Sequence, residues 1–169
     1  LYTDDYRSGE RTFQLLTQAA GRAGRGDRPG EVVIQTYDPE HYAIEASAAQ
    51  DYEAFYEKEI RYRSLMGYPP VENLMAVLAV CEDEVLLEKA CKYLKEYILR
   101  IKGQAQLDVI GPASPGVDKI KDIYRRVIYV KAPEYRTLVV LKDRMEQYIE
   151  INSGFQKMRI QFDFNPMNL

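Results

Sequence analysis

The sequence contains few of the residues that bind metal ions or form covalent cross-links, with two cysteines and one histidine among its 169 residues. Cys81 and Cys91 are too few for a disulfide scaffold, and they do not make a zinc site on their own. No apolar run is long enough to span a bilayer, and no signal-peptide pattern is present. These absences predict a protein of a reducing cytoplasm, with no metal site in this chain and no membrane partner.

An excess of positive charge is also missing. The 23 lysines and arginines are outnumbered by 26 aspartates and glutamates, which gives a formal net charge of -3 at pH 7. The chain as a whole is therefore not a basic nucleic-acid binder, and any such surface must be local. Hydrophobic residues at 46% and charged residues at 29% are values of a folded globular protein. At this length the chain can hold one ordinary domain and part of another.

Two motifs that hold nucleotide and Mg²⁺ in ATPases, G-x-x-x-x-G-K-[ST] and D-E-x-[HD], do not occur in the sequence. A different run does occur, because residues 18–26 read Q-A-A-G-R-A-G-R-G. Residues 9–20 before it are helix-like, since Phe13, Leu16 and Ala20 recur on one helical face. The run therefore follows directly from a predicted helix.

Gln18, Arg22 and Arg25 follow at helical spacing and share another face if the helix runs on. Two guanidinium groups held in this way can reach one polyanion, such as a nucleotide triphosphate. An arginine in this role stabilises the charge on a transferring phosphoryl group. The intervening glycines, beginning with Gly21, keep the backbone bare so that another surface can approach. The alternative is that the run is a Gly/Arg turn that closes a helix.

The run resembles motif VI of the superfamily 2 helicases, Q-x-x-G-R-x-G-R. The resemblance implies a position on the second RecA-like lobe, where the motif acts on a nucleotide bound by the first lobe. We therefore expect a fragment, the last part of a helicase cut just upstream of its final motif. Such a fragment binds no cofactor and should not hydrolyse ATP alone.

The sequence divides into three predicted parts. Residues 1–40 are interpreted as the end of the second RecA-like lobe, with a strand over residues 31–37 and a helix start at Asp38 and Pro39. Residues 41–70 form a helical linker of one or two helices, which must end at the Gly-Tyr-Pro-Pro segment of residues 67–70. In this linker His41 is predicted as a surface residue, and Glu59 and Arg63 are among side chains spaced for weak surface ion pairs.

Residues 71–169 show a repeated order of strands and helices. The pattern predicts strands over residues 74–81, 107–110, 124–130 and 158–164, and helices over residues 84–102 and 133–149. Gly111 and Pro112 are expected to stop the second strand. The order βαββαβ is typical of a ferredoxin-like sandwich with the two most apolar strands in its centre. The predicted fold class is therefore mixed α/β (α+β), a RecA-like remnant followed by a ferredoxin-like domain, with Cys81 and Cys91 used for packing.

Beyond motif VI, the chain resembles the C-terminal portion of the primosomal replication-restart helicases. The resemblance rests on residues 6–26 with P-G-E-V-V-I-Q-T-Y after them, on E-I-R-Y-R-S-L-M-G-Y-P-P at residues 59–70, and on G-P-A at residues 111–113 before Lys119, Lys121 and the Tyr124–Arg125 pair. The closing D-F-N-P is similar to the usual end of the family, so we expect the true C-terminus to be present. One departure is Asp122, where the family commonly has glycine, and it leaves the shape of that loop open.

The resemblance implies an ATP-dependent 3′-to-5′ DNA helicase that recognises stalled forks and starts primosome assembly. It implies that Arg22 and Arg25 act as the motif VI arginines, with Arg25 at the γ-phosphate, while Gln18 and Gly21 belong to the nucleotide site. ATP and Mg²⁺ would bind in the full-length protein, and zinc would bind in a region outside this chain. The implied partners are forked or single-stranded DNA, the single-stranded DNA-binding protein and other primosome proteins, in the cytoplasm at the nucleoid.

The residues offer a separate argument for DNA binding. Basic and aromatic side chains cluster around the turn into the third strand: Lys119, Lys121, Tyr124, Arg125 and Arg126. Lysines and arginines would neutralise phosphates, and a tyrosine could stack on an unpaired base. On a strand Arg125 faces away from Arg126, so one of them points toward the helix layer or an edge. An ordinary solvated hairpin is the alternative.

Three hypotheses remain open from the sequence. The chain is a C-terminal fragment of a primosomal helicase, a fragment of another superfamily 2 enzyme such as an RNA helicase or a restriction-type translocase, or a non-enzymatic module that binds phosphate or a partner acid.

Overall fold

The computed structural model describes residues 5–23, 31–117 and 119–167. The chain forms two compact units, which comprise Leu1–Met66 and Gly67–Leu169. We call them unit 1 and unit 2. The boundary lies four residues before the predicted end of the linker at residue 70. The described residues contain no helix long and apolar enough to cross a membrane.

The described residues of unit 1 form three helices, α1 over Ser8–Ala23, α2 over Tyr42–Ala49 and α3 over Tyr52–Met66. Phe13 of α1 stacks on Phe55 of α3 with ring centroids 4.3 Å apart, and Ala43 and Ala46 of α2 complete this small buried cluster. The apolar face predicted for α1 is therefore buried at Phe13. The predicted linker helices α2 and α3 pack with α1 in one unit.

The prediction of a strand over residues 31–37 is wrong. The segment is irregular, and Val33 and Tyr37 are 84% and 93% exposed. A strand needs a neighbouring strand to accept and donate its backbone hydrogen bonds. The regular elements described in unit 1 are all helices, so they provide no such neighbour. The assignment of residues 1–40 to a RecA-like lobe stays a prediction.

The first linker helix begins later than predicted, because His41 and not Asp38 is its N-cap. The His41 side chain accepts a hydrogen bond from the backbone N–H of Ala43 at Nδ1, with a distance of 3.1 Å. Gln50 ends α2 in the left-handed conformation, and Asp51 accepts from Ala54 at the start of α3. The single histidine is thus a half-buried capping residue.

Where the structure describes it, unit 2 has the predicted βαββαβ order with one additional short strand. Its elements are β1 (Asn73–Cys81), α4 (Glu84–Ile101), β2 (Asp108–Ala113), β3 (Lys119–Ile120), β4 (Ile123–Ala132), α5 (Tyr135–Ile151) and β5 (Arg159–Phe164), with a 3₁₀ turn over Ser153–Phe155. The strands run antiparallel in the order β2-β4-β1-β5. This is the ferredoxin-like topology, and the apolar strands β1 and β4 are central, as predicted.

The core of unit 2 lies between one face of this sheet and the two helices. Alternate residues of β1 and β4, such as Val77 and Ile128, meet Leu94 of α4 and Leu138 of α5. Cys91 belongs to this core and Cys81 lies at its edge, which confirms their predicted packing role. Burial first, and then the nearby Glu88 carboxylate, raises the pKa of the Cys91 thiol from 9.0 to about 12.

The second strand does not stop at Gly111 as predicted. β2 continues to Ala113 through a shift of register against β4 between Ile110 and Ala113. Gly111 has a φ of +98°, and a Cβ atom there would lie 2.7 Å from the backbone oxygen of Val127. Glycine is therefore required at this bulge, both for its conformation and for the close approach of β4.

Candidate functional site

The glycine- and arginine-rich run begins on the last turns of α1. Gln18 and Arg22 lie four residues apart and so share one side of the helix, and both are exposed. A Cβ atom at Gly21 would meet nothing within 4 Å, so another surface can approach the helix there. Arg25, the second arginine of the run, lies outside the described residues.

The exposed end of α1 has the chemistry to bind a phosphate group. None of the ion pairs formed among the described residues involves Arg22. A guanidinium in this position can pair with phosphate oxygens through two parallel hydrogen bonds. The amide of Gln18 can both donate and accept a hydrogen bond. The two side chains therefore fit a nucleotide phosphate, and their roles stay predictions.

The prediction of surface ion pairs on α3 is wrong for Glu59 and Arg63, which are 5% and 7% exposed. Arg63 donates from Nε to Glu59 at 2.7 Å and from Nη2 to Glu10 of α1 at 2.8 Å. Burial alone would lower the pKa of Arg63, but the hydrogen bonds to the two carboxylates raise it above its ordinary value. One guanidinium thus joins α3 to the first turn of α1.

A third helix joins the same cluster through a tyrosine. The hydroxyl of Tyr42 on α2 donates to the second oxygen of Glu59 at 2.6 Å, and burial followed by this hydrogen bond raises the pKa of Tyr42. Gly9 of α1 lies against this pair. A Cβ atom there would come within 2.8 Å of the Tyr42 hydroxyl and 2.9 Å of Glu59 Oε2. Gly9, Glu10, Tyr42, Glu59 and Arg63 form what we call the polar cluster.

The basic residues predicted to bind DNA lie around the hairpin of β3 and β4. Lys121 and Asp122 are the two loop residues, and both have positive φ, of 50° and 64°. This is the type I′ geometry that favours glycine, and Lys121 and Asp122 adopt it here. Lys119 pairs with Asp122 at 2.9 Å and lies 4.7 Å from the ring centroid of Tyr124. The hydrogen bonds with Asp122 and then Tyr124 raise the pKa of Lys119.

Arg126 is not part of this exposed surface. It is 8% exposed, faces the helix layer, and pairs with Glu84 at 2.9 Å and with Glu88, both on α4. Removing it from two carboxylates to meet a phosphate would leave those charges without their partner. The structure thus decides which of the two neighbouring arginines turns inward. We remove Arg126 from the candidate DNA surface, and we also set aside Tyr124, which is half-buried against the core.

Arg125 lies on the opposite face of the sheet and donates from Nη1 to the backbone oxygen of Val117 at 3.1 Å. Val80 of β1 is paired with Arg125 on one side and with Arg159 of β5 on the other. Residues directly opposite each other on neighbouring strands point to the same face. Arg159, which is exposed, is therefore a basic neighbour that sequence reasoning missed. Only the strand register could have revealed it.

No group of three or more His, Cys, Asp or Glu side chains that could hold a metal ion occurs among the residues the structure describes.

A family model, the primosomal protein N C-terminal domain, matches residues 64–167. The chain is also similar to curated proteins named replication restart protein PriA. The protein from Bacillus subtilis (strain 168) is 36% identical over 98% of this chain and 20% of its own length. The protein from Synechocystis is 35% identical over 98% of this chain and 19% of its own length. The protein from Chlamydia trachomatis is 34% identical over 99% of this chain and 22% of its own length.

These matches extend along nearly the whole of the chain but over only about a fifth of each relative. Among solved structures, the chain is similar to a de novo designed protein, Foldit4, at a TM-score of 0.43 and 13% identity. That match covers 55% of this chain and 94% of the designed chain. A likeness of this size bears on neither fold nor function.

Proposed function

Because this chain belongs to the family of the primosomal protein N C-terminal domain, we propose that it works as the C-terminal part of an ATP-dependent 3′-to-5′ DNA helicase. The helicase binds stalled replication forks in the bacterial cytoplasm, at the nucleoid, and initiates primosome assembly there. The relatives carry the name of a replication restart protein, which favours this function over another superfamily 2 translocase or a non-enzymatic phosphate-binding module. ATP, Mg²⁺ and zinc belong to the full-length enzyme.

The observation that carries the ATP part of the proposal is the exposed end of α1, where Gln18 and Arg22 share one side of the helix. Arg22 and Arg25 stabilise charge on the γ-phosphate as it is transferred, with Arg25 in closer contact. Gln18 helps to position the nucleotide or links it to the DNA. The nucleotide itself is held by residues outside this chain, so these arginines complete a pocket that they do not form.

The ATP proposal is tested in a full-length protein of the family that carries this chain. Arg22→Ala and Arg25→Ala should each lower the maximal DNA-stimulated ATP turnover by about 100-fold or more, because each removes a charge that acts on the transition state. Binding of forked DNA should stay unchanged. The matched control is Arg61→Ala, an exposed arginine of α3. Turnover that equals that of the control would refute the roles of both arginines.

The DNA part of the proposal rests on basic side chains of the β3–β4 hairpin and on Arg159, which lies on the same face of the sheet as Arg125. Lys119, Lys121, Arg125 and Arg159 present positive charge at one end of the sheet, while the rest of the chain is acidic on balance. Such a local basic surface contacts phosphates and displaces counterions, so its affinity falls steeply with salt. It would hold forked or single-stranded DNA without reading its sequence. Contacts with the single-stranded DNA-binding protein and other primosome proteins belong to the same proposal.

The DNA surface is tested by titrating forked DNA with the chain across a series of salt concentrations. Replacing Lys119, Lys121 and Arg125 by glutamine should weaken binding and flatten the dependence of log K on log salt by about two to three units. Arg126→Gln should not change the salt slope, because its charge is already neutralised by Glu84 and Glu88. An unchanged affinity and slope in the triple variant would remove this surface from the proposal.

A further inference from the structure

The polar cluster of unit 1 is not explained by the stability of the fold. Its ion pair between Glu59 and Arg63 is almost fully buried in a unit whose apolar cluster is small. Removing two charges from water is costly, and well-packed apolar residues often stabilise a fold as much or more. A buried pair instead fixes the relative orientation of the elements it joins, because charge-assisted hydrogen bonds require a defined geometry. The cluster therefore calls for a geometric role.

The geometry of Arg63 identifies which parts it connects. Glu59 lies one turn before Arg63 on the same helix and fixes its guanidinium at Nε. The terminal nitrogen Nη2 is thereby aimed at Glu10, which lies in the first turn of α1. Tyr42 holds the other oxygen of Glu59, so α2 supports the same arrangement. The guanidinium thus bridges two helices, because it donates to one carboxylate on α3 and to one on α1.

Helix α1, to which Arg63 is bonded, also carries Gln18 and Arg22 of the glycine- and arginine-rich run. Arg22 lies twelve residues after Glu10 on α1, which corresponds to about 18 Å along the helix axis. A rotation of roughly 3° at Glu10 would move Arg22 by about 1 Å over that length. A displacement of about 1 Å at a reacting centre can lower a rate by about 100-fold. The angle at which α1 starts therefore matters for catalysis at its far end.

We infer that Arg63 is a positioning residue for ATP turnover, which acts by bridging Glu59 and Glu10 and so fixing the direction in which α1 presents Arg22. This inference rests on the function proposed above for Arg22. Arg63 does not touch the nucleotide. Its effect reaches the phosphate through the rigid helix α1. Gly9 permits the close approach of α1 on which the bridge depends.

The test uses Glu10→Ala and Arg63→Met in the full-length protein. Glu10→Ala removes the carboxylate of α1 and leaves both the pair of Arg63 with Glu59 and the contact of Arg63 with the Tyr6 ring intact. The Glu10 side chain is 38% exposed, so the fold should tolerate the change. Both variants should lower the maximal rate of ATP turnover by about 10- to 100-fold. The KM for ATP and the affinity for forked DNA should change by less than about threefold, because ground-state binding is retained.

Two further variants separate positioning from simple damage. Glu10→Gln keeps an acceptor for Arg63 and should recover most of the lost turnover. Arg61→Met removes an exposed arginine from the same helix and should leave the turnover unchanged. Equal turnover in Glu10→Ala, Arg63→Met and the Arg61→Met control would overturn the inference. So would a loss seen in KM or DNA affinity rather than in the maximal rate.

A double variant tests whether the effect passes through Arg22. If it does, Glu10→Ala should cost less additional turnover once Arg22 is alanine than it costs in the parent, because one of the two positioned arginines is then gone. Losses that multiply would overturn the inference. Arg22→Ala alone identifies which proposal has failed. If it leaves turnover intact, the ATP proposal and the inference both fall. If it abolishes turnover while Glu10→Ala does not reduce it, only the inference falls.

Discussion

Each of the two units is stabilised internally by a different kind of contact. Unit 2 buries a continuous apolar core between its sheet and two helices, in which Leu94, Ile98, Leu138 and Met145 are completely inaccessible. Unit 1 buries a few aromatic and alanine side chains beside an ion pair and a tyrosine hydroxyl. Unit 2 is therefore stabilised mainly by apolar burial, whereas in unit 1 directed polar contacts join three helices, and one of these helices carries Gln18 and Arg22.

The largest expected effect lies in the core of unit 2. Leu94 is completely buried on α4, and Leu99 of the same helix is 44% exposed. Leu94→Ala should lower the free energy of unfolding by about 3 kcal/mol, because it removes buried apolar surface and leaves a cavity. Leu99→Ala should cost less than about 1 kcal/mol. Denaturant titration measures both, and equal losses would contradict the assignment of the stabilising core.

The next effect is in unit 1, where two glycines of α1 provide a matched pair. Gly9→Ala should lower the free energy of unfolding by about 2 kcal/mol, because the new methyl group meets the Tyr42 hydroxyl and Glu59. Gly21→Ala meets nothing within 4 Å and should raise it by up to about 1 kcal/mol through helix propensity. Thermal unfolding followed by circular dichroism compares them. A stabilising Gly9→Ala would show that the Tyr42 and Glu59 side chains give way easily, and it would contradict a rigid polar cluster.

A smaller effect concerns the buried thiol of unit 2. The folded pKa of Cys91 is about 12 and its ordinary value is 9.0, so the unfolded chain releases the proton first as the pH rises. The resulting contribution to stability is fully present below pH 9 and is lost progressively toward pH 12. The difference in unfolding free energy between the parent and Cys91→Ala should therefore shrink by about 1 kcal/mol between pH 8 and pH 10. A difference that stays constant over this range would contradict the raised pKa.

The smallest effect is at the hairpin loop. Asp122→Gly should raise the free energy of unfolding by about 0.5 kcal/mol, because the residue has a φ of 64°. It should also tighten binding to forked DNA by releasing Lys119 from its ion pair. Asp122→Asn is the control that removes the charge but keeps a side chain. It should tighten DNA binding without the gain in stability. Equal stability of the two variants would show that the loop conformation carries no strain.

The sequence predicted unit 2 better than unit 1 for a physical reason. Its strands and helices have strong apolar periodicity, and the order of elements then leaves the ferredoxin-like topology as the simplest arrangement. The errors occur where a distant contact decides the local structure. Gly111 was expected to stop β2, but the approach of Val127 across the sheet turns it into a bulge. The short strand β3 was missed because two residues carry no periodicity.

In unit 1 the long-range contacts outweigh the local pattern. Residues 31–37 have strand-forming side chains, but the described part of the unit is otherwise helical and gives them no partner strand. Glu59 and Arg63 have the spacing of a surface pair, and only the packing of α1 and α2 over them makes the pair buried. The motif on residues 18–26 was recognisable because its residue types and spacing are local. The polar cluster at the start of its helix was not, because its members lie on three helices.

We propose a division of function between the two units, with ATP chemistry at the end of α1 and DNA binding at the hairpin of unit 2. It is tested most directly by measuring the maximal ATP turnover and the dissociation constant for forked DNA on the same two full-length variants, Arg22→Ala and the glutamine triple variant of Lys119, Lys121 and Arg125. We expect each variant to lose a different one of the two properties. Arg22→Ala loses about 100-fold in turnover at unchanged DNA affinity, and the triple variant loses affinity but keeps its turnover at saturating DNA. Loss of the same property in both variants would contradict the division.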